Sequence, residues 1–182
     1  MNAFSNPSPA PHAAVSTNLR EFLAFKLGAE EYGIDILRVQ EIRSYEKPTR
    51  IAKAPDFIKG VINLRGTVIP VLDLRAKFQM PTAVYGERAC IIVVQLRNPA
   101  GGSTLIGAIV DTVEEVIQLN ADHLEPAPDF GGSPETQFIL GLGTLNGGVK
   151  TLLDPDKVFL TEGLLTLVPS PASTPQNRTQ TV

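Results

Sequence analysis

The feature that most constrains this chain is a unit that occurs in it twice. Gly60–Phe78, GVINLRGTVIPVLDLRAKF, lies over Gly141–Phe159, GLGTLNGGVKTLLDPDKVF, without a gap at an offset of 81 residues. Gly60 falls on Gly141, Leu64 on Leu145, Gly66 on Gly147, Leu72 on Leu153, Asp73 on Asp154 and Phe78 on Phe159. Upstream, Gly33 falls on Gly107, Val39 on Val113, Glu41 on Glu115 and Ile42 on Val116, at an offset of 74 residues. Two copies in the same order imply two similar supersecondary units.

Each copy has the pattern of a hairpin. Val61–Leu64 and Thr67–Leu72 are rich in Val, Ile and Leu, and Arg65-Gly66 between them is turn chemistry. Pro70 cannot donate to a ladder, so the second strand is expected at a sheet edge or bulged there. Asp73 is expected to cap a short helical turn, Leu74–Phe78. The two copies differ most in charge at the turn, where Arg65 faces Asn146.

Along the rest of the chain, Phe22–Leu27 and Tyr32–Ile36 pair across the Gly28–Glu31 turn. Leu37–Arg43 fits neither a strand nor a helix cleanly and is read as a bend followed by a strand. Asp56–Lys59 is expected to be a helical turn. Residues 79–88 form a linker, Ala89–Leu96 a strand buried on both faces, Thr104–Val110 and Val113–Leu119 two more strands, and Asp122–Glu125 a helical turn. The sum is all-β: about ten short strands in two groups of five, which at this spacing suggests two small barrels. Residues 1–20 and 161–182 are rich in Pro, Ser, Thr and Ala and are expected to be disordered tails.

The composition excludes several classes of function. A net charge of −3 gives no basic footprint for nucleic acid. The single cysteine, Cys90, allows no internal disulfide and fits a reducing cytoplasm. No apolar run has the length to span a bilayer, and no signal peptide is legible. His12 and His123 are the only histidines, and with one Cys they make no zinc site. No GxSxG elbow is present, and Val149 interrupts the Gly-Lys-Thr order a Walker loop needs. Asp73 and Asp154 are better explained as caps than as a carboxylate pair. Neither catalysis nor a cofactor is expected. What remains is Arg65 at a hairpin tip, with Glu41 as an acidic neighbour. Arg is enriched at protein interfaces, so partner binding leads over an enzyme.

The segments EEYGIDILRVQEIR, RIAKAPDFIKGVINLRGTVIPVLDLR, VDTVEEVI, LEPAP and ILGLGTL together resemble the CheW family of bacterial chemotaxis coupling proteins, over about Glu21 to Leu160. The resemblance implies two five-stranded SH3-like barrel subdomains related by the internal repeat, packed on a shared core. It implies a non-enzymatic adaptor that bridges the cytoplasmic tips of chemoreceptors to the regulatory domain of the histidine kinase CheA. Ring assembly with like-folded modules also follows, at membrane-bound arrays reached through partners. The alternatives are a paralogue serving another chemosensory output, such as surface motility, and, behind it, a small-barrel ligand-binding domain or enzyme. The arginine of the NLRG motif is a functional position in the family, and the resemblance carries that role to Arg65. The partner-binding set is Val39, Glu41, Ile42, Gly60, Arg65, Val113 and Val116. The four aliphatic members are expected to line an apolar groove between the repeats, suited to an amphipathic receptor helix. The loop Asn98–Ser103 is longer than the family's commonest pattern.

Overall fold

In a computed structural model the described residues are 19–82, 84–99, 101–127 and 136–160. The expected tails lie outside them, apart from Leu19 and from Arg20, which opens the first strand. The elements in order are β1 (Arg20–Leu27), β2 (Glu30–Asp35), β3 (Val39–Ser44), β4 (Ile58–Leu64), β5 (Thr67–Asp73), α1 (Leu74–Lys77), β6 (Cys90–Arg97), β7 (Ser103–Val110), β8 (Thr112–Leu119), β9 (Leu124–Pro126), β10 (Ile139–Leu145), β11 (Gly148–Leu153) and α2 (Pro155–Phe159). One sheet runs β8-β1-β2-β11-β10-β9, the other β3-β6-β7-β5-β4.

These orders are the repeat made visible. β3, β6, β7, β5 and β4 occupy the places that β8, β1, β2, β11 and β10 occupy in the other sheet. The parallel pairing of β5 with β7 answers that of β11 with β2. The sheets are not the two halves of the chain, however. β1 and β2 pair with β8 and β11 from the second half, and β6 and β7 pair with β3 and β5 from the first. Each half therefore lends two strands to the other's sheet.

The expectation of ten strands is corrected to eleven among the described residues, six in one sheet and five in the other. The extra strand is β9, which pairs with β10 at Glu125–Leu142. Its counterpart in the first copy is a single bridge, Thr49–Val61, with Val61 in the place of Leu142. The same place explains two glycines. A Cβ on Gly60 would lie 2.0 Å from the Thr49 carbonyl oxygen, and one on Gly141 would lie 2.6 Å from that of Glu125. Gly60 also has φ +141°, a backbone that L side chains rarely adopt.

Three apolar clusters hold the molecule. Ile62, Leu64, Ile69, Val71, Ile91, Val93 and Ile109 fill the interior of the five-stranded sheet, which must curl to bring β4 and β6 together. Phe22, Ala24, Ile117, Leu119 and Leu152 fill that of the six-stranded sheet. The largest cluster lies between the two and draws on both, with Phe25, Leu27 and Ile34 on one side and Leu72, Ile92, Val94 and Leu96 on the other. β6 is apolar throughout because its alternate residues serve two cores. Ile91 and Val93 point into the barrel, and Ile92, Val94 and Leu96 into the shared core. The expectation of a strand buried on both faces is met.

Several local expectations hold. Asp73 accepts from the Arg75 and Ala76 amides and caps α1, and Asp154 caps α2 in the same way. Others do not. Pro70 lies in β5, which is an interior strand. It is tolerated because pairing with β7 begins one residue later, at Val71. Its partner Val61 sends its own N–H and C=O to Thr49 instead. Asp56–Lys59 is no helical turn, since a turn at Pro55 hands the chain directly to β4 at Ile58. Asp122–Glu125 divides into a 3-10 turn, Ala121–His123, and the start of β9.

Candidate functional site

The hairpin tip between β4 and β5 is a two-residue turn with both residues left-handed. Arg65 has φ +52° and Gly66 φ +90°. This is the type I′ geometry whose twist matches paired strands. The second copy repeats it with Asn146 at φ +52° and Gly147 at φ +78°. Asn accepts the left-handed region readily and Arg does so at a cost. The first turn therefore carries local strain that the second avoids. The Gly66 amide donates to Asn63 Oδ1 at 2.7 Å, which fixes the turn.

The Arg65 side chain is 83% exposed, yet Nη2 lies 2.5 Å from Glu41 Oε2. Glu41 is on β3 and Arg65 follows β4, strands at opposite edges of the same sheet. The pair thus spans the seam where the sheet curls onto itself. Glu41 is only 21% exposed, and Arg43 Nη1 stands 3.9 Å from its other oxygen, while Arg43 itself pairs with Glu46 at 3.0 Å. The result is a string of alternating charge ending on an exposed guanidinium. Sequence reasoning paired Arg65 with Glu41 but missed Arg43 and Glu46, whose alternation of sign along β3 and just beyond it was the available signal.

The aliphatic members are organised by a β-bulge. On β3, Val39 faces Val94 and Ile42 faces Ile92, three residues against two. On β8, Val113 faces Phe25 and Val116 faces Leu23, again three against two. The extra residue puts both members of each pair on the face that carries the shared core. Val39 and Val113 pack against that core. Ile42 and Val116 stand at its rim, 44% and 48% exposed. Leu37–Arg43 is, as expected, a bend followed by a strand: the 3-10 turn Ile36–Arg38 leads into β3, whose bulge interrupts the alternation. Gly60 is buried beneath the hairpin, where its missing Cβ admits the Thr49 bridge.

On the linker side, Tyr85 donates to Asp73 Oδ2 at 2.6 Å and packs its ring 4.5 Å from that of Tyr45. Burial first, then the bond to Asp73, pushes the Tyr85 hydroxyl well above the ordinary tyrosine range. Arg75 grips Asp111 with Nε and Nη2, and the Gly28 amide donates to the same carboxylate at 2.5 Å. Burial works against the Asp111 carboxylate, but these hydrogen bonds outweigh it and hold its pKa below the usual value. In each cluster the carboxylate also fixes backbone, Asp73 at the start of α1 and Asp111 at the Gly28 turn. Among the described residues no group of three His, Cys, Asp or Glu is placed to hold a metal.

A curled double barrel with a charged hairpin tip and rim aliphatics is the class of fold that the geometry defines. Comparison with known proteins gives that class a family. The model of the CheW-like domain matches residues 21–162. The chemotaxis protein CheW of Klebsiella aerogenes is 46% identical over 143 residues, 79% of this chain and 83% of that protein. The chemotaxis protein CheW of Rhizobium meliloti is 34% identical, with 79% and 89% covered. The crystal structure of the scaffolding protein TtCheW from Thermoanaerobacter tengcongensis superposes with a TM-score of 0.70 at 32% identity, over 79% of this chain and 94% of that one. The chain belongs to the CheW-like family, a family of chemotaxis scaffold proteins rather than enzymes.

Proposed function

We propose that this chain couples the cytoplasmic tips of chemoreceptors to the regulatory domain of the histidine kinase CheA. The observation that carries the reading is the Arg65 turn. An arginine is held there in a strained backbone, on a carboxylate and almost wholly exposed, where the other copy has a relaxed Asn. Strain of this kind persists where something outside folding requires it. In this reading Arg65 and Glu41 form the polar anchor of the kinase contact, and Gly60 shapes the hairpin that presents it. Val39, Ile42, Val113 and Val116 form the apolar strip that receives an amphipathic receptor helix, with Ile42 and Val116 as the reaching members.

The mechanism is one of position. A module that holds receptor and kinase at once makes their encounter intramolecular and raises the effective concentration. Head-to-tail contacts between like-folded modules close into rings when the rotation per contact allows it. The chain reaches the membrane through its receptor partner; no helix among the described residues is long and apolar enough to cross one. The identity of 46% to a chemotaxis protein favours this reading over a paralogue for surface motility.

The test is co-sedimentation of purified kinase with receptor-bearing membranes. The chain should carry kinase into the pellet, and Val116→Lys should reduce that at least about tenfold while its melting temperature stays within about 2 °C. Kinase that pellets equally well without the chain would refute the coupling role. A stable Val116→Lys protein that binds receptors normally would remove the strip from it.

A further inference from the structure

The repeat sets a core residue against a lysine at the end of α1. Lys77 falls on Val158, which is fully buried in the shared core. The chain makes this exchange once more, where Lys150 falls on the buried Ile69. There the ammonium has a carboxylate, Glu31, which Lys26 also approaches. Lys77 has none among the described residues. Its ammonium stands instead 4.5 Å from the Phe57 ring centre and 5.4 Å from that of Phe138. Ring faces attract a cation but supply no net negative charge. Burial accordingly holds the Lys77 pKa below the ordinary lysine value.

Lys77 also lines a cavity of about 270 Å³, which it shares with Phe138. Tyr32, Phe78 and Phe138 form the aromatic part of its wall, with Gln79 and Thr151 among the polar lining residues. The Tyr32 and Phe78 rings are 5.6 Å apart and tilted, and Phe78 and Phe138 are 6.5 Å apart. Glu30 also lines it, and its carboxylate accepts a hydrogen bond from the Tyr32 hydroxyl. No residue of the partner-binding set lines this cavity.

We propose that the cavity binds a small free aromatic monocarboxylate, its ring against Phe78 and Phe138 and its carboxylate on Lys77. The volume lies just under the roughly 300–1,000 Å³ of drug-sized sites, which suits a single ring. Phe78 and Phe138 supply stacking area, and Lys77, with no carboxylate partner among the described residues, gains a charge-assisted bond. Glu30 repels a second anionic group, so a monocarboxylate is preferred to a dicarboxylate. The proposal stands apart from the coupling role and survives its failure.

The experiment titrates the full chain with phenylacetate and with its neutral isostere phenylacetamide, followed by amide proton–nitrogen NMR. Phenylacetate should give saturable shifts at Lys77, Phe78 and Phe138 with a submillimolar Kd, about tenfold tighter than the amide. Lys77→Met should erase that preference and Lys77→Arg should keep it. Absence of saturation up to about 10 mM phenylacetate, or equal affinity of the wild-type chain for acid and amide, overturns the proposal. The wild-type comparison decides the matter even if neither variant folds.

Discussion

Arg65 is held in the left-handed region at φ +52°, a region that Asn146 occupies in the equivalent turn. A left-handed residue other than Gly or Asn costs about 1–2 kcal/mol. An exposed ion pair such as Arg65–Glu41 returns about 0–1 kcal/mol. The strain therefore outweighs the pair, and Arg65→Asn should raise the melting temperature by up to about 4 °C. The same substitution should abolish kinase coupling, because Asn carries no charge to the partner. Thermal denaturation read beside a coupling assay checks both halves of this expectation. A melting temperature lowered by several degrees would mean that the guanidinium works for the fold rather than for a partner.

At the level of elements, each barrel depends on one close backbone crossing beneath its hairpin. Gly60→Ala combines a contact of 2.0 Å to a carbonyl oxygen with a φ of +141°. Gly141→Ala meets a carbonyl oxygen at 2.6 Å, with no positive φ, against the edge strand β9. Gly60→Ala should cost about 3 kcal/mol or more and Gly141→Ala about 1–2 kcal/mol, read as shifts in denaturant midpoint at constant slope. The reverse order would show that β9 yields less easily than the Thr49 bridge. The hairpins and their caps were legible in the sequence, because turn residues and alternating Val, Ile and Leu act over a few positions; Gly60 and Gly141 were matched by the repeat, but the backbone crossing above each was not legible. The bulges at Val39–Ile42 and Val113–Val116 were not, since an extra residue erases the alternation that signals a strand. Pro70 misled for a related reason. Whether a strand is interior depends on which partner arrives and where its pairing starts, and both are set far away in sequence. In the candidate site, Arg65 and Glu41 were legible as a pair. The cavity at Lys77 was not, because it is built from β2, α1 and the segment around Phe138, which only the fold brings together.

For the whole molecule, the repeat was visible but the exchange of strands was not. Periodicity reports what a segment is, and not whose sheet it joins. The exchange makes the halves interdependent. A cut within the linker, residues 79–88, would part β1 and β2 from β8 and β11, and β6 and β7 from β3 and β5. Residues 1–82 and 84–182 expressed separately should show no cooperative unfolding, and mixing them should restore one transition. A cooperative transition in either half alone would contradict a shared core. That core fixes the exposed Arg65 turn in relation to the rim residues Ile42 and Val116, and so suits a coupler of two partners. The most direct test of that role is kinase autophosphorylation in a mixture of receptor membranes, kinase and this chain at matched concentrations. The account predicts strong activation by the wild-type chain. Arg65→Ala should lose it, with a melting temperature within about 2 °C of wild type. Arg65→Lys should recover only part, since Lys keeps the charge without the planar fork. Full activation by Arg65→Ala would contradict the account.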